Sequence, residues 1–280
     1  MNKFLSQVSI DAARALQEDV GIGDVTAELL PAQLLVEAEI ISREPMVVCG
    51  QSWVEEVFHQ INPNIKINWK VGEGDYLNKP TVLCHIQGLA RSILTAERSA
   101  LNFLQTLSAT ATQTHRYVQQ LQGTKTRLLD TRKTLPGLRA AQKYAVACGG
   151  GVNHRMGLYD AFLIKENHIK ACGSIAKAIA LARQTHNNVF IEVEVETLDE
   201  LREAIAAKPD RILLDNFSHE MLIEAVRINQ SSSCTLEASG NITLNNIAEV
   251  AKIGVDFISV GAITKSIQAI DLSLLIRKIL

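Results

Sequence analysis

The residues best suited to chemistry are concentrated in one stretch. Between positions 127 and 170 stand eight bases (Arg127, Arg132, Lys133, Arg139, Lys143, Arg155, Lys165 and Lys170) and three acids (Asp130, Asp160 and Glu166). That segment is +5 within a chain of net charge −2, so the remainder carries −7. His154, His168 and the triplet Gly149–Gly150–Gly151 lie in the same stretch. Such a run is either a solvated basic face or a pocket for a ligand with several negative charges. Arg132, Lys133 and Lys165 directly follow short apolar runs, a placement at strand ends rather than on outer helices. Guanidinium forks match planar carboxylates and phosphates bidentately.

Two carboxylates, Glu194 and Asp215, end later apolar runs. They are read either as charge balance for the basic pocket or as a Mg²⁺ site, since Mg²⁺ takes one or two protein carboxylates plus phosphate oxygens. The segments EASGNIT and SVGAIT close the last two runs with small residues ahead of a helical pattern. Backbone N–H groups at such ends hold phosphate. Arg98 lies within a long helical stretch among small or polar neighbours, Ser99, Ala100, Asn102, Ser108 and Ala109.

These residues need a scaffold that brings them together. From residue 126 onward, short apolar runs (RLLD, AFLIK, VFIEVEV, RILLD, CTLEAS, DFISVG) alternate with helical patterns, the signature of repeated β-α units and a parallel sheet. Polar groups at the end of nearly every strand converge only if the sheet closes into a barrel, whose site lies at the C-terminal rim. Glu192 and Glu194 share one strand face by period two; a lumen opening on a polar site avoids the cost of burying both in apolar packing. The first half reads differently. Residues 9–19 form a helix with Asp11 capping or charging its first turn, residues 36–50 form strands and 52–61 a helix. INWKVGEGDYL reads as a strand–turn–strand hairpin followed by the strand TVLCHIQG, and a long helix runs from about Ser92 to Leu121.

The composition narrows the function classes. At 280 residues, 47% hydrophobic and 21% charged, the chain is a globular protein of about two domains. Its charge argues against general nucleic-acid binding. No apolar run approaches the about 18 residues of a membrane helix, and Asp11, Arg14, Glu18 and Asp19 interrupt any signal peptide. Five scattered cysteines (Cys49, Cys84, Cys148, Cys172, Cys234) show no metal-ligand spacing. They suit a reducing cytosol, with buried packing as their expected role. A cytoplasmic protein is expected. There is no P-loop, no GxSxG elbow and no dinucleotide GxGxxG. Two further readings are a Schiff-base lyase using Lys165 and a non-catalytic binding protein for phosphorylated metabolites.

The motifs DTRKTLPGLR (130–139), GGGVNHRMGLYDAFLIKENHI (149–169), IEVEVE, LLDNF, EASGN and DFISVGA, with GIGDVT, SREPMVVCG and AERSALNFLQTLSATAT before them, resemble the quinolinate phosphoribosyltransferase family. Its members are the carboxylating nicotinate-nucleotide pyrophosphorylases of NAD biosynthesis. One departure is Ala109, where that family usually has Gly.

The resemblance implies an α/β protein with an N-terminal α/β sandwich domain (1–111) and a C-terminal incomplete, seven-stranded α/β barrel (112–280), the last helix packing back on the first domain. It implies transfer of the phosphoribosyl group of 5-phosphoribosyl-1-pyrophosphate (PRPP) to quinolinate with Mg²⁺, releasing pyrophosphate and CO₂. Arg132, His154, Arg155 and Lys165 would line the quinolinate site, with Arg98 donated by the neighbouring subunit of a homodimer; assembly beyond the dimer is left open. Thr131 would bind substrate, Lys133 and Lys165 would face PRPP, and Arg132, Lys133 and Lys165 would carry catalysis. Glu194 and Asp215 would hold ribose hydroxyls and metal, while Ser239, Gly240, Asn241, Val260, Gly261 and Ala262 would bind the 5-phosphate. A relative associated with molybdenum transport, acting on another aromatic acid, is the alternative; no nucleic-acid or membrane partner is expected.

Overall fold

The computed structural model describes Phe4 and residues 6–280. The chain forms two compact units: Met1–His115 with Thr134–Gly150 and Ile263–Leu280, and Arg116–Lys133 with Gly151–Ala262. Where the sequence reading has a single boundary, two later segments belong with the first unit.

In the first unit, β1 (Leu35–Ser42) is a central strand, bonded antiparallel to β5 (Thr81–Leu89) on one side and β12 (Leu272–Ile279) on the other; β3 (Lys66–Trp69) extends the sheet beyond β5. Its alternation buries Val36, Ala38 and Ile40 and turns Glu37 and Glu39 the other way, as one covered sheet face requires. The helices of this unit include α1 (Val8–Asp19), α2 (Gln51–Ile61), most of α3 (Ala90–Gln119) and α4 (Arg139–Cys148). Three expectations change here. Asp11 does lie in the first turn of α1 but is buried, and its Oδ2 accepts the Trp53 indole N–H at 3.0 Å. The expected last helix is the strand β12, which finds a free edge on β1 and is fixed there by Arg277 on Glu39 at 2.7 Å.

The expected hairpin is not one. β3 pairs with β5, whereas β4 (Tyr76–Leu77) pairs with β2 (Met46–Val47) in a separate two-stranded sheet. The turn residues bond elsewhere: Gly74 N–H donates to Val48 O at 2.8 Å and Val48 N–H to Asp75 O at 2.9 Å.

In the second unit, β6 (Arg127–Leu129), β7 (Ala161–Ile164), β8 (Phe190–Val195), β9 (Arg211–Asp215), β10 (Thr235–Ser239) and β11 (Phe257–Ser259) form one parallel sheet ordered β6-β11-β10-β9-β8-β7. The first strand bonds the last, so the sheet rolls into a barrel with its gap between β6 and β7. Helices α5 (Glu166–Cys172), α6 (Ile175–Thr185), α7 (Leu198–Ala207), α8 (His219–Asn229) and α9 (Ile247–Ile253) fill the crossovers, and α10 (Ala262–Lys265) follows β11. Ser174, Thr197 and Ser218 cap α6, α7 and α8, which fixes short strand-to-helix turns.

The expected seventh strand is reduced to one residue. Val152 bridges Leu129 in parallel, donating to Leu128 O at 2.8 Å and accepting from Asp130 N–H at 3.1 Å. Beyond it Asn153 and His154 turn toward Asp130, so the extended backbone stops. No helix among the described residues is long and apolar enough to cross a membrane.

Replacing Asp11 by Ala would strand the buried Trp53 N–H, a loss of about 1–3 kcal/mol. Thermal denaturation should register a lower Tm; an unchanged Tm would show that the bond contributes nothing.

Candidate active site

The lumen of the barrel carries a buried polar layer. Glu192 from β8 and Glu237 from β10 point inward and are fully buried. His154 Nε2 stands 2.8 Å from Glu192 Oε2 and 3.6 Å from Glu237 Oε2. The Arg155 backbone N–H donates to His154 Nδ1 at 2.7 Å, which leaves Nε2 as the protonated nitrogen facing the glutamates. Arg211 reaches Glu237 Oε2 at 3.1 Å, and its guanidinium lies 4.0 Å from the Phe257 ring centre and 5.3 Å from that of Phe190. These two rings favour a cation beside the buried acids.

Burial raises the Glu192 carboxyl above its ordinary range, with Arg211 and Arg155 opposing. Glu237 is pushed up to about 8, by burial first and by the neighbouring Glu192 second, against His154, Ser259 and Arg211. Like charges at close range in a dry lumen cannot both ionise freely.

Above this layer lies a pocket of about 270 Å³ at the C-terminal ends of the strands. Thr131, Arg132 and Lys133 enter it from the end of β6, Lys165 from β7, Glu194 from β8 and Asp215 from β9, with His154 and Arg155 from the loop in the barrel gap. That loop is built on Asp130. Its fully buried carboxylate accepts the His154 backbone N–H at 2.8 Å and the Asn153 amide at 2.7 Å. Asp160 in turn accepts the N–H groups of Met156 and Gly157 at 2.6 and 3.0 Å, and Arg155 Nη1 donates to Ala161 O at 3.1 Å.

Burial, then the like charge of Arg132, holds the Arg155 guanidinium below the ordinary arginine range. Two partly desolvated guanidiniums bordering one pocket favour an anionic guest. Lys165 Nζ pairs with Glu194 Oε2, so the amine stands beside a carboxylate at the rim.

Ser239, at the end of β10, also borders the rim pocket. With Gly240 and Asn241 it lines a neighbouring cavity of about 280 Å³. Gly240 has φ +92°, and a Cβ there would meet Asn216 Oδ1 at 2.1 Å. Asn216 also accepts from the Asn241 amide at 3.2 Å. Val260, Gly261 and Ala262 follow the adjacent β11, and a Cβ at Gly261 would lie 3.0 Å from the Lys133 side chain. The two small-residue ends therefore stand at neighbouring strand ends, one of them against Lys133.

Of the eight bases, Arg132, Lys133, Arg155 and Lys165 border the pocket. Arg127 opens β6 at the opposite end, Lys170 is exposed on α5, and Arg139 and Lys143 lie on α4 in the first unit, Lys143 fully buried. Arg98 is exposed on α3 in the first unit and is not among the pocket-lining residues. Sequence reasoning missed Asp130, Arg211, Asn216 and Glu237 as site-building residues. Glu192 and Glu194 had a usable signal in their period-two spacing, and Glu237 sits within EASGN, two residues before Ser239.

A β/α barrel with a cationic rim over a buried acidic layer defines a class of enzyme fold that handles small anions. Sequence comparison is more specific. Residues 24–108 match the N-terminal domain and residues 110–275 the C-terminal domain of quinolinate phosphoribosyl transferase, and the chain belongs to this family. It is 41% identical over 258 residues to a probable nicotinate-nucleotide pyrophosphorylase [carboxylating] of Bacillus subtilis, covering 92% of this chain and 89% of that protein. It is 41% identical to the nicotinate-nucleotide pyrophosphorylase [carboxylating] of Mycobacterium leprae, covering 97% and 99%. The structure of the nicotinate-nucleotide pyrophosphorylase from Francisella tularensis superimposes with a TM-score of 0.95 at 51% identity, covering 98% of this chain and 97% of that one.

The raised Glu237 carboxyl makes stability depend on pH. Below its ordinary value of 4.5, folded and unfolded chains are both protonated there; between 4.5 and about 8 only the folded chain holds the proton. Stability should therefore fall as pH rises through that window. In Glu237→Gln this fall should flatten, read as Tm from pH 5 to 8.5; parallel Tm curves for the two proteins would contradict the assignment.

Proposed function

We propose that this protein transfers the phosphoribosyl group of PRPP to quinolinate with decarboxylation, giving nicotinate mononucleotide, pyrophosphate and CO₂ for NAD biosynthesis. The observation that carries the reading is the pairing of Arg132 and Arg155 at one rim pocket, in a chain that belongs to the quinolinate phosphoribosyltransferase family over both domains. Quinolinate is a planar dianion, and two forks suit two adjacent carboxylates.

Arg132 and Arg155, with His154 beneath them, hold the pyridine ring so that its nitrogen faces the anomeric carbon, a positioning effect. Lys133 and Lys165 lie against the pyrophosphate and stabilise its charge as the C–O bond breaks and the N–C bond forms. Thr131 borders the same pocket. The 5-phosphate rests on the turns Ser239–Gly240–Asn241 and Val260–Gly261–Ala262, where backbone N–H groups take an anion without a competing side chain. Once attached, the ring nitrogen is cationic. The C–C bond to the adjacent carboxylate breaks, CO₂ leaves, and the electron pair left on the ring is stabilised by that nitrogen until a proton replaces it. No protein nucleophile is required.

Glu194 and Asp215 fit Mg²⁺ by donor chemistry, being hard oxygen ligands from neighbouring strands beside the proposed phosphate sites. We propose that they hold the ribose hydroxyls and that ion, which when bound neutralises pyrophosphate charge. Arg98 we assign to the neighbouring site of a homodimer. Net charge −2 counts against general nucleic-acid binding, and the scattered cysteines suit the reducing cytosol we assign to it, with no membrane partner.

Purified protein given PRPP, Mg²⁺ and quinolinate should release CO₂ and pyrophosphate in equal amounts, and neither without an acid substrate. Pyrophosphate from nicotinate alone would mean the wrong substrate; silence with both acids would favour the molybdenum-associated relative. Arg132→Ala and Arg155→Ala should each lower kcat/KM by about 10²-fold or more, and near-normal turnover in either would remove its assigned role. Mixing Arg98→Ala with Arg132→Ala subunits should restore activity if the site is shared; verified mixed dimers that stay inactive would refute sharing.

A further inference from the structure

Two cysteines that are far apart in sequence meet in the first unit. Cys49 precedes α2 and Cys148 ends α4. Their Sγ atoms and a carboxylate oxygen of Glu73 all lie within 4.8 Å of one another. We propose that Cys49, Glu73 and Cys148 form a binding site for a thiophilic divalent cation of the Zn²⁺ type, separate from the oxygen donors Glu194 and Asp215.

The donor set is the first argument. Two sulfurs and a carboxylate select soft or borderline cations over Mg²⁺. Tetrahedral Zn–S bonds of about 2.3 Å place two sulfurs about 3.8 Å apart, so these ligands need to close by no more than about 1 Å. Three protein ligands leave the fourth position of a tetrahedral ion to water, and Cys148 is partly exposed.

The second argument is preorganisation. Each donor is fixed by its own segment. Cys49 is fully buried, and the Ser108 hydroxyl pins its backbone by accepting from Cys49 N–H at 3.0 Å and donating to Cys49 O at 3.1 Å. Glu73 accepts the N–H groups of Gly50 and Gln51 at 2.7 and 3.1 Å; an ionised carboxylate has about four lone-pair sites, so donors remain for a cation. Cys148 is held by the close packing of the next residue, since a Cβ on Gly149 would come within 2.4 Å of Ala111 O. A bound cation would therefore tie the start of α2, the turn at residue 73 and the end of α4 together.

The third argument is polarity. A cysteine pair that merely fills core volume has carbon neighbours. This pair faces a carboxylate, and the Tyr144 hydroxyl is hydrogen-bonded to Cys148.

Co²⁺ is the probe. Titrated into the reduced full-length protein, it should produce thiolate-to-cobalt charge-transfer absorption that saturates at one ion per chain, is displaced by Zn²⁺ and is indifferent to excess Mg²⁺. Cys49→Ser and Cys148→Ser should each abolish the band, Cys172→Ser should keep it, and Glu73→Gln should weaken binding about tenfold or more. In the unmutated protein, Zn²⁺ should slow alkylation of Cys148 and leave that of Cys172 unchanged. No thiolate band from folded, reduced protein, a band that survives in both Cys49→Ser and Cys148→Ser, or Cys148 alkylation unaffected by Zn²⁺ would overturn the proposal.

Discussion

One buried carboxylate holds the catalytic unit in its working form. Asp130 follows β6 and takes two hydrogen bonds from Asn153 and His154, where a complete barrel would have another strand. Those bonds add to the Val152 bridge and to the contacts of Asp160 and Arg155 farther along the loop. With them, His154 is set above the lumen glutamates and Arg155 is brought to the same pocket as Arg132. An ionised carboxylate that accepts backbone and amide N–H groups is among the stronger hydrogen-bonding arrangements a fold can use. The incomplete barrel thus gains, at its gap, the loop that supplies half of its cationic clamp.

The charges are layered. Arg211 lies over the rings of Phe190 and Phe257 and pairs with Glu237; His154 stands over Glu192 and Glu237; Arg132 and Arg155 border the pocket above. Glu192 counters the desolvation that weakens Arg155. Two guanidiniums at one pocket suit the doubly charged guest proposed for it.

Much of this was legible because the barrel repeats one local pattern. Short apolar runs between helical patterns named all six strands, and the residues after each run named the rim. The period-two placement of Glu192 and Glu194 announced a polar lumen. What could not be read depends on partners distant in sequence. The strand at 272–279 forms along the edge of β1, and the segment around residue 73 leaves β3 and bonds Val48 instead. The seventh strand shrinks to Val152 because Asp130 captures the residues after it. Counting bases along 127–170 mixed the rim residues with Arg139 and Lys143, which the chain carries into the other unit on α4. The proximity of Cys49 and Cys148 is hidden in the sequence for the same reason, since they meet only after folding.

The central claim is that the gap loop, fastened to Asp130, sets two guanidiniums for a dianion. The most direct test is calorimetric: the Kd of pyridine-2,3-dicarboxylate against that of nicotinate, for the unmutated chain and for Asp130→Asn with its fold verified. The account predicts tighter binding of the dicarboxylate by about tenfold or more, the scale of one charge-assisted contact, and loss of most of that preference in the variant. Equal affinity for the two acids in the unmutated chain, or a preference that Asp130→Asn leaves intact, would contradict it.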